Sequence, residues 1–421
     1  MNGNHSRLAV TSWCLYDFAN SAFTTLVVTF IYATYFTEEF AGSNVEGTAL
    51  WSRGVAIASI CIAICSPILG ALADQGGRKK YLLLTTSICI AATAGLYWIV
   101  PGYALLALAV FVIADIAFEL SCMLYNAYLP AIAPRQKIGR ISGYGWSLGY
   151  LGGLLAMFIA LIGFIFPETP WFGFDKDNGQ HIRATNLLVS AWFAVFSVPM
   201  FLVVKDTKKV VEDKTAAIKQ TFAQLGRTMK EIRSYRPIVR FLIARLIYND
   251  GLITIFAFGS IFAKGTFHFS MNEVMVFGIV LNVAAGIGAF GLGFLDDWLG
   301  AKRTLYISLA GLAFASILAV LTPSTFKPGL YIAGVIVGIF AGPNQSASRS
   351  LMGRLVPPQK ENEFFGFYAF SGKLTAFMGP FLLGIITQWF DSQRAGISIV
   401  ILFFLIGGLL LTTVDEKEMV R

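Results

Sequence analysis

The sequence predicts an all-α membrane protein with twelve transmembrane helices arranged as two six-helix pseudo-repeats. Of its 421 residues, 56% are hydrophobic and 13% are charged, and its mean hydropathy is +0.68. A soluble chain carries about 25% charged residues, so this composition excludes an ordinary water-soluble fold. Apolar segments of about 20 residues, long enough to cross a hydrocarbon core, recur along the chain. They are continuous rather than alternating in polarity, which favours helices over barrel strands.

Each predicted helix is an apolar segment that ends at a polar cluster or at Gly and Pro. The twelve predicted spans are 8–36, 51–73, 81–100, 103–126, 141–166, 186–204, 238–262, 274–295, 304–321, 330–347, 364–388 and 396–414. The predicted domains are an N-terminal six-helix bundle (1–204), a linker (205–236) and a C-terminal six-helix bundle (237–421). Apolar residues spaced by three and four predict an amphipathic helix on the membrane surface within the linker: Ile218, Phe222, Leu225, Met229 and Ile232.

Lys and Arg are unevenly divided between alternate loops. Most lie in the linker and in the loops after helices 2, 4, 8 and 10, and the intervening loops hold few. By the positive-inside rule, both termini and the linker are cytoplasmic. The net charge of +8 therefore reflects membrane orientation and predicts no nucleic-acid partner. The compact length and short loops indicate the inner membrane of a bacterium.

Several classes of chemistry lack support in the sequence. The five cysteines fall in apolar segments, and the three histidines fall outside the predicted spans, so no metal site is expected. No phosphate-binding Gly-rich loop is present, which disfavours ATP-driven transport and predicts no cofactor. Because no cleavable signal peptide precedes helix 1, we expect that helix to remain in the mature protein.

Two loops at equivalent places in the two halves share a pattern. The loop after helix 2 reads Gly70-Ala-Leu-Ala-Asp74-Gln-Gly-Gly77-Arg-Lys-Lys80, and the loop after helix 8 reads Gly293-Phe-Leu-Asp-Asp297-Trp-Leu-Gly300-Ala-Lys-Arg303. The same offset aligns Ser142-Gly143-Tyr144 with Phe365-Gly366-Phe367. The halves are therefore predicted to be internal repeats.

The shared loop pattern has a physical rationale. Glycines permit a tight turn, the Asp can accept hydrogen bonds from a neighbouring helix N-terminus, and the basic residues face lipid headgroups. The pattern resembles the loop motif of the major facilitator superfamily, Gly-x-Leu-x-Asp-Arg-x-Gly-Arg-Lys, except that Gln75 stands where Arg is usual. We expect a conformational switch at Gly70, Asp74, Gly77, Arg78, Asp297 and Gly300.

Four further segments resemble one particular branch of the superfamily. They are Trp13-Cys-Leu-Tyr-Asp17-Phe-Ala-Asn20-Ser21, Ala244-Arg245-Leu-Ile-Tyr248-Asn249-Asp250-Gly251, Asn344-Gln-Ser-Ala-Ser-Arg349-Ser350 and Glu363-Phe-Phe-Gly366-Phe-Tyr368. Together they resemble the superfamily branch related to the vacuolar amino-acid effluxer of autophagy. The resemblance implies a twelve-helix antiporter-like or symporter-like transporter and, by analogy, export of amino acids.

Charged residues inside the predicted spans indicate a polar pathway. Each charge at mid-membrane costs about 2.5 to 3.5 kcal/mol, so these side chains must face one another or water. In the superfamily's arrangement, helices 1, 4, 7 and 10 line a central cavity, and most of these charges fall on those helices. The charged candidates are Asp17, Asp115, Glu119, Arg245, Asp250, Arg349 and Lys373, and the uncharged ones include Asn20, Tyr248, Asn249 and Gln345.

Charges of both signs suit a zwitterionic substrate such as an amino acid. Asp115 and Glu119 are one helical turn apart, so their repulsion favours binding of a proton. The alternative for each carboxylate is a static ion pair, for instance with Arg245 or Lys373, that only holds helices together. Hydroxyl-rich or aromatic ligands remain compatible with the tyrosines and amides.

The predicted function is secondary active transport of a small solute by a monomer, with export of amino acids or related zwitterions favoured and protons as the candidate coupling ion. One alternative is proton-coupled uptake of a sugar or an organic anion. A second alternative is a membrane-embedded enzyme or a lipid-handling protein. Enzymes of that kind usually carry a clustered His, Asp or Ser constellation, which this sequence lacks, so the chain is predicted not to be an enzyme.

Overall fold

The computed structural model describes residues 6–40, 43–206, 214–376 and 378–415. Within these ranges, twelve helical spans are long and apolar enough to cross a membrane, as predicted. Helices 1–12 are Arg7–Glu39, Glu46–Asp74, Arg78–Trp98, Ala104–Ile132, Arg135–Ile165, Gln180–Val203, Arg236–Phe267, Glu273–Leu299, Ala301–Leu321, Lys327–Leu355, Glu361–Phe390 and Gln393–Leu411. Most exceed the predicted spans because the helical backbone continues beyond the apolar segment into polar ends.

The outer surface of the bundle is strongly apolar. Large side chains such as Ile64, Leu105, Phe314 and Leu409 are more than half exposed. A soluble monomer does not expose apolar surface on this scale to water. In a membrane, the same surface lies against lipid hydrocarbon. The protein is therefore an integral membrane protein.

Helices 1 and 11 are among the spanning helices that depart from regular α-helical geometry. Helix 1 changes to π-helix over Phe23–Phe30. The α-helix of helix 11 ends at Lys373 and resumes over Met378–Phe390, with residues 374–376 in a turn. Pro380 lies in the first turn of the second segment, where a residue without a backbone N–H is tolerated. Discontinuous helices in transporters place free backbone groups near the middle of the membrane.

The two halves pack against each other through two equivalent helix pairs, helix 2 with helix 11 and helix 5 with helix 8. In the first pair, the Ser66 hydroxyl donates to the carbonyl of Gly366 at 3.1 Å. In the second pair, Gly143 lies against the carbonyl of Ala289. The same sequence offset relates Gly143 to Gly366, so each pair uses an equivalent glycine for close backbone approach.

One end of the bundle carries a concentration of positive charge. We call it the basic end, and it is defined by Arg7, Arg78, Arg140, Arg354 and Lys360. The linker helix, Lys214–Lys230, packs against helix 2 at this end. Of the apolar residues predicted for the linker helix, Phe222 is 58% exposed and Leu225 is half-buried, and the side chains of Ile218, Met229 and Ile232 lie outside the described set.

Replacing Gly366 with Ala is expected to lower the thermal stability of the protein in detergent. An added Cβ would lie 2.5 Å from the Ser66 carbonyl oxygen, so helices 2 and 11 would have to separate. Overpacking of this kind costs about 1 to 3 kcal/mol. The matched control is Gly384→Ala in the same helix, where nothing lies within 4 Å and the unfolding temperature should not fall. Equal destabilisation by both variants would contradict this account.

Candidate functional site

The halves are joined near the middle of the bundle by an ion pair between helix 4 and helix 11. The Lys373 ammonium lies 2.7 Å from the Glu119 carboxylate, and the two side chains are 25% and 26% exposed. Lys373 is the last residue of the first helical segment of helix 11, immediately before the interruption. A partly exposed pair at such a position can be separated and remade at lower cost than a fully buried one.

Further polar groups surround this pair. Asp115 is buried on helix 4, one turn before Glu119, and lies within electrostatic range of both Glu119 and Lys373. From helix 1, the Asn20 amide donates to the Cys122 sulfur at 3.7 Å, which places helix 1 against the same stretch of helix 4. The predicted repulsion between two carboxylates on helix 4 is therefore balanced by one ammonium from the opposite half.

A second ion pair joins the halves between helix 1 and helix 10. Arg349 donates to the Asp17 carboxylate at 2.9 Å and to the Asn126 side-chain oxygen at 3.0 Å. It also donates to the hydroxyl and the carbonyl oxygen of Ser142, at 2.9 and 2.7 Å. Its guanidinium carbon lies 4.6 Å from the Trp13 ring centroid. Arg349, from the C-terminal half, is thus held almost entirely by residues of the N-terminal half.

Arg245 lies beside Gly372, the residue before Lys373, and does not pair with a carboxylate in the described residues. It donates to the Tyr368 carbonyl oxygen at 2.9 Å and to the Ser371 hydroxyl at 3.0 Å. Its guanidinium carbon lies 3.6 Å from the Tyr368 ring centroid, a close cation–π contact. The predicted alternative of an Arg245–carboxylate ion pair is therefore not what the structure shows. Instead, Arg245 fixes helix 7 to helix 11.

The remaining predicted site residues are distributed within the C-terminal half. Tyr248 shares a hydrogen bond of 2.7 Å with Ser348, next to Arg349. Asn249 is buried on helix 7 and Gln345 is half-buried on helix 10. Asp250 forms no ion pair among the described residues, and one of its oxygens accepts from the backbone N–H of Gly379 at 2.9 Å. It caps the second segment of helix 11, a role that charge alone in the sequence could not indicate.

The two repeated loop motifs join the halves at the basic end by equivalent contacts. Asp74 accepts from the backbone N–H groups of Asn362 and Glu363, at 3.2 and 2.8 Å, in the first turn of helix 11. Asp297 accepts from the backbone N–H groups of Gly139 and Arg140, at 2.9 and 3.3 Å, near the start of helix 5. The offset that aligns the two halves relates the acceptor Asp74 to the acceptor Asp297. It also relates the donors Gly139 and Arg140 to the donors Asn362 and Glu363. Each carboxylate satisfies a helix N-terminus of the opposite half.

Other motif residues support these contacts. Arg78 pairs with Glu361 at 3.4 Å, and Arg354 pairs with Asp296 at 2.7 Å. Gly77 and Gly300 have φ angles of 85° and 92°, which favour glycine. An added Cβ on Gly70 would collide with the carbonyl of Asn362, so this position requires a glycine for the close approach of helix 2 to helix 11.

The linker helix adds a contact that the sequence did not reveal. The Gln75 amide donates to the Gln224 side-chain oxygen at 2.5 Å, and the Gln224 amide donates to the Glu363 carboxylate at 2.6 Å. Gln75 occupies the position where the superfamily motif usually has Arg. An amide chain through the linker helix therefore connects this position to helix 11. Only the unusual Gln75 could have pointed to an altered contact.

Among the described residues, no group of three or more His, Cys, Asp or Glu side chains could hold a metal ion. The polar groups instead form ion pairs and hydrogen bonds between two six-helix halves. Twelve spanning helices, two repeated loop motifs that bridge the halves, and paired charges between them define a transporter of the major facilitator superfamily.

The chain belongs to the family described as "Vacuole effluxer Atg22 like", whose profile matches residues 37–421. It is 29% identical over 414 residues to the uncharacterized MFS-type transporter YxiO of Bacillus subtilis, covering 96% of this chain and 94% of that protein. It is 24% identical over 336 residues to autophagy-related protein 22 of Saccharomyces cerevisiae, covering 71% of this chain and 61% of that protein. The chain therefore spans less than two thirds of the yeast relative.

Solved structures agree on the fold. The proton:xylose symporter XylE matches with a TM-score of 0.75 and 15% identity, covering 99% of this chain and 97% of that chain. The human organic anion transporter MFSD10 (TETRAN) matches with a TM-score of 0.75 and 14% identity, covering 96% of this chain and 99% of that chain. Identities this low show the fold alone.

Proposed function

We propose that this protein exports amino acids or related zwitterions by alternating access and that protons drive the cycle. The observation that carries the proposal is the Glu119–Lys373 ion pair, which places opposite charges from the two halves 2.7 Å apart near the middle of the bundle. A zwitterion carries the same two charges. It can therefore replace each partner of this pair, its ammonium facing helix 4 and its carboxylate facing helix 11.

Replacement of the Glu119–Lys373 ion pair by a bound substrate links substrate binding to movement of the two halves. Arg245 lies beside the Lys373 segment, since an added Cβ on Gly372 would lie 3.0 Å from the Arg245 guanidinium. A bound carboxylate would thus meet two cations, and a bound ammonium would meet Glu119 and Asp115. Once the substrate satisfies both halves separately, the direct ion pair no longer opposes their separation.

Proton coupling follows from the same charges. Two carboxylates one turn apart share one ammonium, so when Lys373 turns to a substrate, a proton can neutralise one of them. A proton moving inward releases about 2.3 kcal/mol per 100 mV of membrane potential. This energy suffices to drive substantial expulsion of a solute.

The switch is proposed to lie at the basic end, which the positive-inside rule assigns to the cytoplasm. Asp74 and Asp297 join the two halves at that end through their hydrogen bonds to helices 11 and 5. Separation of the two helix N-termini from these carboxylates would open it. The protein is proposed to act as a monomer in a bacterial inner membrane, with both termini cytoplasmic and membrane lipids around it.

The test uses purified protein in liposomes with radiolabelled amino acids, sugars and organic acids, with and without an imposed pH gradient. The proposal expects gradient-driven transport of one or more zwitterionic amino acids, and loss of gradient dependence in Asp115→Asn or Glu119→Gln. Glu273→Gln, which breaks an ion pair within one half, is the control and should retain coupling. Transport of sugars or organic anions without competition by amino acids would overturn the substrate class. Gradient-driven transport in both neutralised variants would overturn the carboxylates as proton carriers.

A further inference from the structure

A cavity of about 750 Å³ opens at the basic end between helices 1, 5 and 8. Helix 1 contributes Arg7 and Val10, helix 5 contributes Lys137, Arg140 and Tyr144 among others, and helix 8 contributes Phe290. The charged residues of the two ion pairs that join the halves, Asp17, Glu119, Arg349 and Lys373, do not line it. The cavity is therefore separate from the candidate transport site.

The walls of this cavity are largely apolar and reach the lipid-facing surface. Ile141 and Leu148 line the helix 5 side. Tyr144 stacks on Phe290 across the gap between the halves, with ring centroids 5.4 Å apart. Phe290 is 49% exposed, and Leu151, the next turn along helix 5, is 47% exposed. A membrane-facing apolar groove of this kind accommodates a hydrocarbon chain rather than a soluble ligand.

The mouth of the cavity is positively charged. Arg7 and Lys137 are exposed, and the Arg140 side chain is 34% exposed. The nearby carboxylate of Asp297 is 4% exposed and accepts from Arg140 Nε at 2.5 Å. No hydrogen bond of the two Arg140 Nη atoms is found among the described residues, so their N–H groups can serve an external acceptor. Three cations thus converge where apolar walls meet the membrane surface.

We propose that this cavity binds one anionic phospholipid. The phosphate is held by Arg7, Lys137 and Arg140, and an acyl chain lies along the groove between helices 5 and 8. Basic pockets between transmembrane helices at the membrane surface recognise acidic headgroups through this combination of charge and hydrocarbon contact. Because Arg140 also binds Asp297, the bound lipid stabilises the contact between helices 5 and 8 at the basic end.

The test is native mass spectrometry of the purified chain titrated with dioleoylphosphatidylglycerol or dioleoylphosphatidylcholine. We expect one tightly bound phosphatidylglycerol and no tight phosphatidylcholine. The double variant Arg7→Gln/Lys137→Gln should bind phosphatidylglycerol more weakly, by about fivefold for each cation removed. The matched control Lys80→Gln/Arg303→Gln removes two exposed cations at the same end that do not line the cavity, and its affinity should equal that of the parent chain.

Two further experiments distinguish the contribution of the lipid headgroup to binding from that of the hydrocarbon chain. Ser147→Leu fills the apolar part of the cavity and should also weaken phosphatidylglycerol binding, whereas soluble glycerol phosphate should not protect the parent chain from thermal unfolding. Equal binding of both lipids, equal losses in the double variant and its control, or unaltered binding by Ser147→Leu would overturn the proposal. A dimer that dissociates in the double variant would assign the groove to a second copy of the chain instead.

Discussion

Replacing Lys373 with Met is expected to lower the rate of solute transport strongly while leaving the chain folded. The substitution removes the cation that faces Glu119 across the two halves, and with it one half of the proposed zwitterion site. Truncating one partner of a hydrogen-bonded charge pair costs about 2 to 5 kcal/mol when it is buried, and partial exposure reduces this figure. We therefore expect a loss of about tenfold or more in the initial transport rate, measured in liposomes.

Charge exchange distinguishes a functional pair from a structural one. The double variant Glu119→Lys/Lys373→Glu keeps the ion pair but reverses the charge that each half offers to a substrate, so it should fold normally and remain inactive. The control is the Glu273–Lys327 pair, whose atoms lie 2.8 Å apart within the C-terminal half. Its single and exchanged variants should transport at the rate of the parent chain. Full activity in the exchanged Glu119/Lys373 variant would show that the pair only holds helices together.

Replacing Arg349 with Met should cause a large loss of stability. The side chain is 3% exposed, and its removal leaves the Asp17 carboxylate and the Ser142 carbonyl without their donor. Breaking a buried ion pair by removing one partner costs about 3 to 5 kcal/mol. We expect a lower unfolding temperature in detergent, reduced expression and loss of transport. Arg303→Met, at an exposed position, serves as the control.

A compensating variant checks the cause of this destabilisation. Asp17→Asn/Arg349→Met removes the unpaired charge and should recover part of the lost stability, although not transport, because the halves would lack the contact that joins helix 1 to helix 10. If the double variant were less stable than Arg349→Met alone, the unpaired Asp17 carboxylate could not be the source of the effect.

The fold could be predicted well from the sequence because membrane insertion depends on local hydrophobicity. Apolar segments of sufficient length define the twelve helices directly, and the repeated loops reveal the two halves. Hydrophobicity does not define the helix ends, since polar residues extend most of the helices beyond their apolar segments. The interruption in helix 11 was not predicted, although Gly379 and Pro380 together could have suggested it.

The partners of the charged residues could be predicted only in part. The cost of burying a charge requires partners for Asp17 and Glu119, and the sequence offers Lys373 as one candidate for such an ion pair. It does not assign Lys373 to Glu119 or Arg349 to Asp17, because both cations lie on helices of the opposite half. Asp250 was grouped with these residues by its charge, whereas it caps the second segment of helix 11. Side-chain direction and long-range pairing depend on tertiary packing, which helix periodicity does not encode.

The role of the repeated loops could be predicted from the sequence because it depends on backbone groups. Any helix N-terminus offers unpaired N–H groups, so an Asp in a tight loop beside one has a defined use. Gln75 in place of the usual motif Arg indicates a different contact at this position. The sequence does not identify the partner of Gln75, because Gln224 lies in the linker, far away in sequence. No local pattern in the linker distinguishes Gln224 from its other polar residues.

The most direct test of alternating movement between the halves is a distance measurement by double electron–electron resonance on a chain whose five cysteines have been replaced. Exposed positions Gln136 and Arg303 report on the basic end, and Asp177 and Ser324 report on the opposite end. In Asp74→Asn/Asp297→Asn, each carboxylate that accepts from a helix N-terminus becomes a neutral amide, and each contact between the halves is weakened by about 1 kcal/mol. The equilibrium between joined and separated halves at the basic end should therefore shift about tenfold or more towards separation. The account predicts a longer distance at the basic end together with a shorter distance at the opposite end. Unchanged distances at both ends, or movement in the same direction at both, would contradict it.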